Sequence, residues 1–252
     1  MELGFNGIFF VIIQMTITIV GAMYIGKKLG FSQNFRMLMA SGNAVCGSSA
    51  IAATAPVIDA SDEDKGIAIT VVNITGIFLM FLLPVLSGYL YNHEVVRTSA
   101  MIGGTLQSVG QVVASGEMVN EHVKELATIF KIVRVILLVG VIFVLGHIKQ
   151  KTNHEIVEEE ISDVKKGKIK IPWYVIGFFI TCALFTLNII SPEVSYLFKA
   201  ISNKLEIIAL AAIGLRVNLR ELIKQGKSVS LYALFVGSLQ VVTAIALISI
   251  FL

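Results

Sequence analysis

Five stretches of this chain, near 7–26, 66–90, 126–146, 171–191 and 228–252, stay apolar for long enough to span a lipid bilayer. A hydrocarbon core of roughly 30 Å needs about 20 helical residues, and every backbone polar group inside it must find a partner. Transmembrane helices satisfy that requirement within a single segment. Three further stretches, near 35–58, 98–117 and 195–214, are richer in small and polar residues and are expected to cross as well. The expected fold is therefore all-α and polytopic, with about eight membrane segments. Composition agrees, because 56% of the residues are hydrophobic, 15% are charged and mean hydropathy is +0.83, outside the range of soluble domains.

The first segment follows Met1 and Glu2 with no basic lead and runs into Lys27 and Lys28, so a cleaved signal peptide is not expected. Cys46 and Cys182 fall inside apolar stretches, which does not suggest a disulfide framework. His93, His122, His147 and His154 lack metal-ligand spacing, and neither a cofactor nor a nucleic-acid partner is expected. If all eight segments cross, Lys27, Lys28, Arg36, Arg97, Lys149, Lys151, Lys165, Lys166, Lys168, Lys170, Arg216, Arg220, Lys224 and Lys227 share one face. Lys65, Lys124, Lys199 and Lys204 share the other. That bias assigns the first face to the cytoplasm and both chain ends to the outside.

Residues 147–170 mix lysines with glutamates and read as a charged cytoplasmic linker. It separates a first membrane bundle, 1–146, from a second, 171–252, which opens at Pro172 and the interfacial anchor Trp173. The first and last segments each carry one glutamine and run in opposite directions, as the inverted repeats of secondary transporters do. A fainter likeness between segments two and four is not inverted if both cross. Either it is accidental or one of the two enters and leaves by the same side.

Segment two contains "MASGNAVCGSSAIAATAPVIDA", residues 39–60, where a greasy chain turns small and polar. Its halves, 35–46 and 47–58, are each about 18 Å long, so the Gly47-Ser48-Ser49 junction falls near the membrane midplane. If the chain unwinds around Asn43 to Ser48 and restarts at Ser49, with Ser48 as N-cap, the second half presents free N–H groups and a positive dipole end. Such an end favours an anion. The first half, ending near Asn43, leaves carbonyls suited to a small cation such as sodium. A continuous helix whose small residues pack closely on neighbours is the alternative.

Segment four adds a polar stripe of Gln107, Ser108, Gln111 and Ser115, either completing a cavity or hydrogen-bonding between helices. Segment five buries Lys131 and Arg134, three apart on one face. A mid-membrane charge costs about 2.5–3.5 kcal/mol, so these two either snorkel outward or attract and hold an anion. No Asp or Glu falls at a midplane, since Asp59, Glu117 and Glu206 all sit nearer the surfaces. Gly42 and Gly47-Ser48-Ser49 have the glycine spacing of a phosphate-binding loop but lack its lysine and preceding strand. No nucleophile, base and orienter group together, so an enzyme is not expected.

The stretches "GNAVCGSSAIAATAPVIDA", "LLPVLSGYL", "GGTLQSVGQVVASG", "ATIFKIVRVILL", "IPWYVIGFF" and "LAAIGLRVNLRELIKQG" follow one another in an order that resembles the bacterial YeiH-type membrane proteins, commonly labelled sulfate exporters. The resemblance covers essentially the whole chain. It implies a multi-pass inner-membrane protein similar in fold to the sodium/proton antiporter and bile-acid symporter group, with inverted repeats and unwound helices at the substrate site. The family's Cys-Gly-small-Ser pattern falls on Cys46, Gly47, Ser48 and Ser49, and its lysine and arginine fall on Lys131 and Arg134. Where members often carry His-Glu, this chain has Gln107 and Ser108, which removes the titratable groups that proton coupling there would use. Members usually have further helices before the point matching "MELGF", so either a misassigned start or a truncated form is expected.

These readings converge on a secondary transporter or exporter of a small inorganic oxyanion, sulfate-like. The expected substrate-binding residues are Asn43, Cys46, Gly47, Ser48, Ser49, Gln107, Gln111, Lys131 and Arg134, with no metal. A sodium-coupled carrier of an organic anion and a truncated, non-transporting membrane protein are the alternatives. The expected partners are a small anion and the lipid bilayer, with a coupling ion and a second copy of the chain left open.

Overall fold

The computed structural model describes residues 4–156 and 226–252, with isolated positions between 177 and 208. The chain forms two compact units, Met1–Ile169 with Leu219–Leu252, and Lys170–Asn218. Segments 171–191 and 195–214 are described only at scattered positions, and Cys182, Pro172, Trp173 and linker residues 157–170 lie outside the described residues. Everything below concerns the first unit.

Its described residues form nine helices and no strand: α1 Gly4–Lys28, α2 Gln33–Ala44, α3 Ser48–Thr54, α4 Asp62–Tyr91, α5 Val95–Thr105, α6 Val109–Glu117, α7 Glu121–Ile136, α8 Leu138–Ile156 and α9 Lys227–Phe251. The starts follow local chemistry. Side chains of Ser32, Ser61, Glu94 and Asn120 accept from first-turn amides of α2, α4, α5 and α7. Asn92 closes α4 in the left-handed conformation, with φ 50°. Four stretches are long and apolar enough to cross a membrane: α1, α4, α9 and the 30 residues of Glu121–Gln150 that α7 and α8 make together.

The other four helices pair into two re-entrant hairpins, and here the structure corrects the expectation that every segment crosses. Asn34, in the first turn of α2, donates from Nδ2 to the Asp59 carbonyl 3.1 Å away, so the chain leaves α3 at the level where it entered α2. Lys149 near the end of α8 donates to Asn34 Oδ1 at 2.8 Å, and a Cβ on Gly146 would stand 2.9 Å from Val57. A Cβ on Gly42 would meet Ile51 at 2.7 Å. Nine residues along a straight helix would separate those two by about 13 Å, so α3 folds back beside α2.

The second hairpin enters from the opposite end. Ser99 in α5 donates to the Val123 carbonyl at 3.2 Å, while a Cβ on Gly116 in α6 would lie 2.5 Å from Lys124 Cα. Both arms therefore start and finish beside the first turn of α7. Lys124 pairs with Glu117 at 2.8 Å and fastens that end. Arg97 Nε reaches the Leu252 carbonyl at 3.4 Å, which puts the end of α9 there too.

The four spans alternate in direction between these two ends. Tyr232 in α9 donates to the Ala22 carbonyl at 2.7 Å and stacks on Phe31, and Gln14 reaches the Gln240 carbonyl at 2.8 Å, so α1 and α9 run antiparallel. That antiparallel relation is the one expected of the first and last segments. The hairpins entering from opposite ends gives segments two and four the inverted relation that their crossing would have denied them. Outward faces of α1 and α4, including Phe5, Phe9, Val20, Phe78, Phe81 and Val85, are exposed and apolar, as lipid contact requires.

Candidate anion site at the meeting of two hairpin tips

The tip of the first hairpin is Val45-Cys46-Gly47, and Gly47 caps α3 with φ 66° and no side-chain hydrogen bond. A side chain pays about 1–3 kcal/mol for that conformation, with φ 66° and ψ −124°, which explains a glycine at the turn. The helix restarts one residue earlier than expected. Ser48 is its first residue rather than its cap, and the Ser48 hydroxyl donates instead to Asn73 Oδ1 of α4 at 3.0 Å.

The second tip, Leu106-Gln107-Ser108, has no glycine and no positive φ. It turns through extended backbone and restarts on a capping box: Ser108 Oγ accepts from the Gln111 amide, and Gln111 Oε1 accepts from the Ser108 amide, both at 3.1 Å. The expected polar stripe is thus interrupted, with Gln107 before the break and Gln111 after it. Gln111 Nε2 also donates to the Asn73 carbonyl at 3.2 Å.

The two tips touch. Gln107 Nε2 donates to Asn43 Oδ1 and to Gln240 Oε1, each at 3.2 Å, and Gln240 Nε2 donates to the Asn43 carbonyl at 2.9 Å. A Cβ on Gly47 would lie 3.5 Å from Gln107 Cβ. Like ends therefore face like: the C-termini of α2 and α5 converge on α7, and the N-termini of α3 and α6 converge on the middle of α4, around Asn73 and Gly76.

Lys131 and Arg134 of α7 are buried behind the tips, at 0% and 1% exposure, which rules out snorkelling. Lys131 Nζ donates to the carbonyls of Val45 and Leu106, the latter at 2.8 Å. Arg134 Nε reaches Ala44 O at 3.0 Å, Nη1 reaches Gly103 O at 3.2 Å and Leu106 O at 2.8 Å, and Nη2 reaches Asn43 O at 2.8 Å and Ala44 O at 2.7 Å. Both side chains thus offset the partial negative charge at the ends of α2 and α5 and satisfy carbonyls that would otherwise lie bare inside a membrane. Their donors point at backbone and not toward the N-terminal side, so they act on any anion there through space rather than by contact.

On the N-terminal side the arrangement is reversed. The amides of Ser48, Ser49 and Ala50 in α3 and of Val109 and Gly110 in α6 have no backbone acceptor among the described residues, the ordinary condition of a first helical turn. Ser48, Ser49 and Ser108 are half-buried, and Cys46 is buried at the first tip. Asn43 holds the tips together, spending its own Nδ2 on the Met39 carbonyl at 2.9 Å. Of the expected site residues, Gly47, Ser48, Ser49, Gln107 and Gln111 lie at the N-terminal side, while Lys131 and Arg134 lie at the C-terminal side.

The sequence reading did not single out Asn73, Gly76, Gln14 or Gln240 as site residues. Each polar one is alone in an otherwise apolar stretch of a spanning helix, which was the available signal, because an isolated amide in a membrane helix needs a partner. Among the described residues no group of histidine, cysteine, aspartate and glutamate could hold a metal ion.

Comparison with known proteins agrees on one family. A family described as "Conserved hypothetical protein 698" matches residues 1–233. A UPF0324 membrane protein of Lactiplantibacillus plantarum is 51% identical over 252 residues, covering 100% of this chain and 75% of the relative. One from Clostridium perfringens is 49% identical, covering 100% and 74%. The UPF0324 inner membrane protein YeiH of Salmonella typhi is 30% identical, covering 92% and 66%. No solved structure is matched. With four membrane-spanning helices and relatives named as membrane proteins throughout, the chain is a multi-pass membrane protein and belongs to this bacterial family, conserved hypothetical protein 698, also labelled UPF0324.

Proposed function

We propose that the protein is a secondary carrier of a small inorganic oxyanion, held midway through the membrane between the first turns of α3 and α6. The observation that supports this most is the pairing of the two tips, with N-termini together on one side and their C-termini neutralised by Lys131 and Arg134 on the other. Two helix N-termini contribute roughly +0.5 charge each, and the guanidinium behind them stays protonated. Among the described residues no carboxylate lies at that depth. The local field is positive, and an anion is the ligand that relieves it.

The same geometry disfavours the sodium-coupled alternative at this place. A sodium ion would need the carbonyls at the ends of α2 and α5, and five of these already accept from Lys131 and Arg134. The two side chains stand where a coupling cation would otherwise stand.

With the hairpins re-entrant, Lys65 joins Lys27, Lys28, Arg36, Lys149 and Lys227 at one end, and Arg97 joins Lys124 at the other. The bias still favours the first end as cytoplasmic. The first hairpin then dips in from the cytoplasm and the second from outside, so each side of the membrane has its own half of the site.

The test is flux of labelled sulfate and labelled phosphate into proteoliposomes, with and without a sodium gradient. Uptake above empty vesicles for at least one oxyanion, unchanged by sodium, is the expected result. Uptake equal to empty vesicles for every oxyanion would overturn the proposal.

A further inference from the structure

The carboxamide of Gln107 is oriented by its neighbours. Asn43 spends its Nδ2 on Met39 O and so turns Oδ1 toward Gln107. Gln240 spends its Nε2 on Asn43 O and so turns Oε1 toward Gln107. Facing two oxygens, Gln107 must present Nε2 to both, and its own oxygen is directed the other way. Gln107 is fully buried, and its Oε1 has no hydrogen-bond partner among the described residues. That oxygen lies beside Gly76, where a Cβ would come within 2.6 Å of it, at the position the Gln111 carboxamide also borders. It therefore sits beside the carboxamide that caps the start of α6, whose Val109 and Gly110 amides have no backbone acceptor among the described residues.

Resting on the anion-carrier reading, we infer that the transported oxyanion carries a proton and donates it in a hydrogen bond to Gln107 Oε1. The α6 amides want an anionic oxygen, and the buried carboxamide oxygen wants a donor. A fully deprotonated anion meets only half of that pattern and sets its own lone pairs against Oε1, which leaves the buried acceptor unpaired. A hydrogen oxyanion such as hydrogen phosphate or bicarbonate meets both halves. A site built to hydrogen-bond a hydroxyl discriminates strongly against an analogue lacking it. The substrate class is thus narrowed away from sulfate, which keeps no proton at neutral pH.

Sulfate and phosphate make a close pair of probes, since both are tetrahedral and at neutral pH only phosphate retains a proton. Binding of each to the purified full chain in nanodiscs is measured by calorimetry, for the native protein, Gln107→Leu and Gly76→Ala. Phosphate is expected to bind at least about tenfold more tightly than sulfate, a margin of one hydrogen bond. Gln107→Leu should abolish that preference while leaving weak binding of both. Gly76→Ala would put a methyl 2.6 Å from Gln107 Oε1 and 2.3 Å from Gln111 Oε1, so it displaces the acceptor without removing either glutamine and should narrow the preference even if the leucine variant does not fold. Equal binding of the two anions by the native protein, or a preference unchanged in both variants, overturns this inference and leaves the carrier proposal standing. Binding of neither anion overturns both.

Discussion

The two hairpins do the same job with different chemistry. The first turns on one residue, Gly47, whose φ of 66° lets the chain reverse with no side-chain cap. The second turns without glycine, on extended backbone at Leu106 and Ser108, and secures its restart with the reciprocal Ser108–Gln111 pair. Glycine is used elsewhere in the second hairpin. A Cβ on Gly103 would run into the Ala127 carbonyl, and one on Gly116 into Lys124 Cα, so these positions let both arms lie against α7. One tip is thus permitted by backbone freedom and the other specified by side-chain hydrogen bonds.

Sidedness is the largest effect by which the pairing can be broken. In a chain with Cys46 and Cys182 replaced by alanine, cysteines at Lys28 and Asp59 should label from the same side of the membrane with an impermeant maleimide. Cysteines at His93 and Val119 should label from the other. If each hairpin instead crossed, Lys28 and Asp59 would label from opposite sides, and the two-tip site would not exist.

Next in size is Arg134→Ala, which removes five hydrogen bonds shared between the hairpins and leaves carbonyls of both unpaired. The expected loss is about 3–5 kcal/mol, read as a lower unfolding midpoint in detergent. Arg134→Lys should recover only part of it, because an ammonium cannot reach four carbonyls from one position. A loss confined to one hairpin, seen as protease sensitivity near one tip alone, would mean that Arg134 does not join them.

Much of this was legible. The first break could be read because glycine and paired serines interrupt an apolar run, and the end of α2 near Asn43 followed from it. The second break carries an equally explicit signal, Ser108-x-x-Gln111, the pattern of a capping box. Read with helical periodicity it became a continuous polar stripe, because Gln107 and Gln111 are four apart whether or not a helix joins them. The role of Lys131 and Arg134 was not legible. Spacing shows that they share a face but not that the face meets carbonyl ends. Re-entry was hidden for the same reason, since 20-odd residues suit one crossing or two half-depth arms equally well.

A smaller effect tests the first tip alone. Gly47→Ala has room for its methyl, with the nearest atoms 3.5 and 3.8 Å away, so its cost is conformational. About 1–3 kcal/mol of stability should be lost. Alanine at Leu106 should show no such conformational penalty, because φ there is −60°. An alanine tolerated at Gly47 would mean that the first tip does not use the left-handed region.

The smallest effect separates the two restarts most directly. At an N-cap, alanine is worse than glycine, typically by several tenths of a kcal/mol, because the cap residue is not helical and glycine exposes the amides to other partners. Inside a helix the order reverses, with glycine worse by up to about 1 kcal/mol. Ser108 caps α6 while Ser48 already belongs to α3, so Ser108→Gly should be more stable than Ser108→Ala, and Ser48→Gly less stable than Ser48→Ala. Both serine-to-alanine changes also lose a hydrogen bond of similar worth, to the Gln111 amide or to Asn73 Oδ1, so the alanine values alone do not distinguish them. The sign of the glycine–alanine difference does, and the same sign at both positions would mean that the two hairpins restart alike.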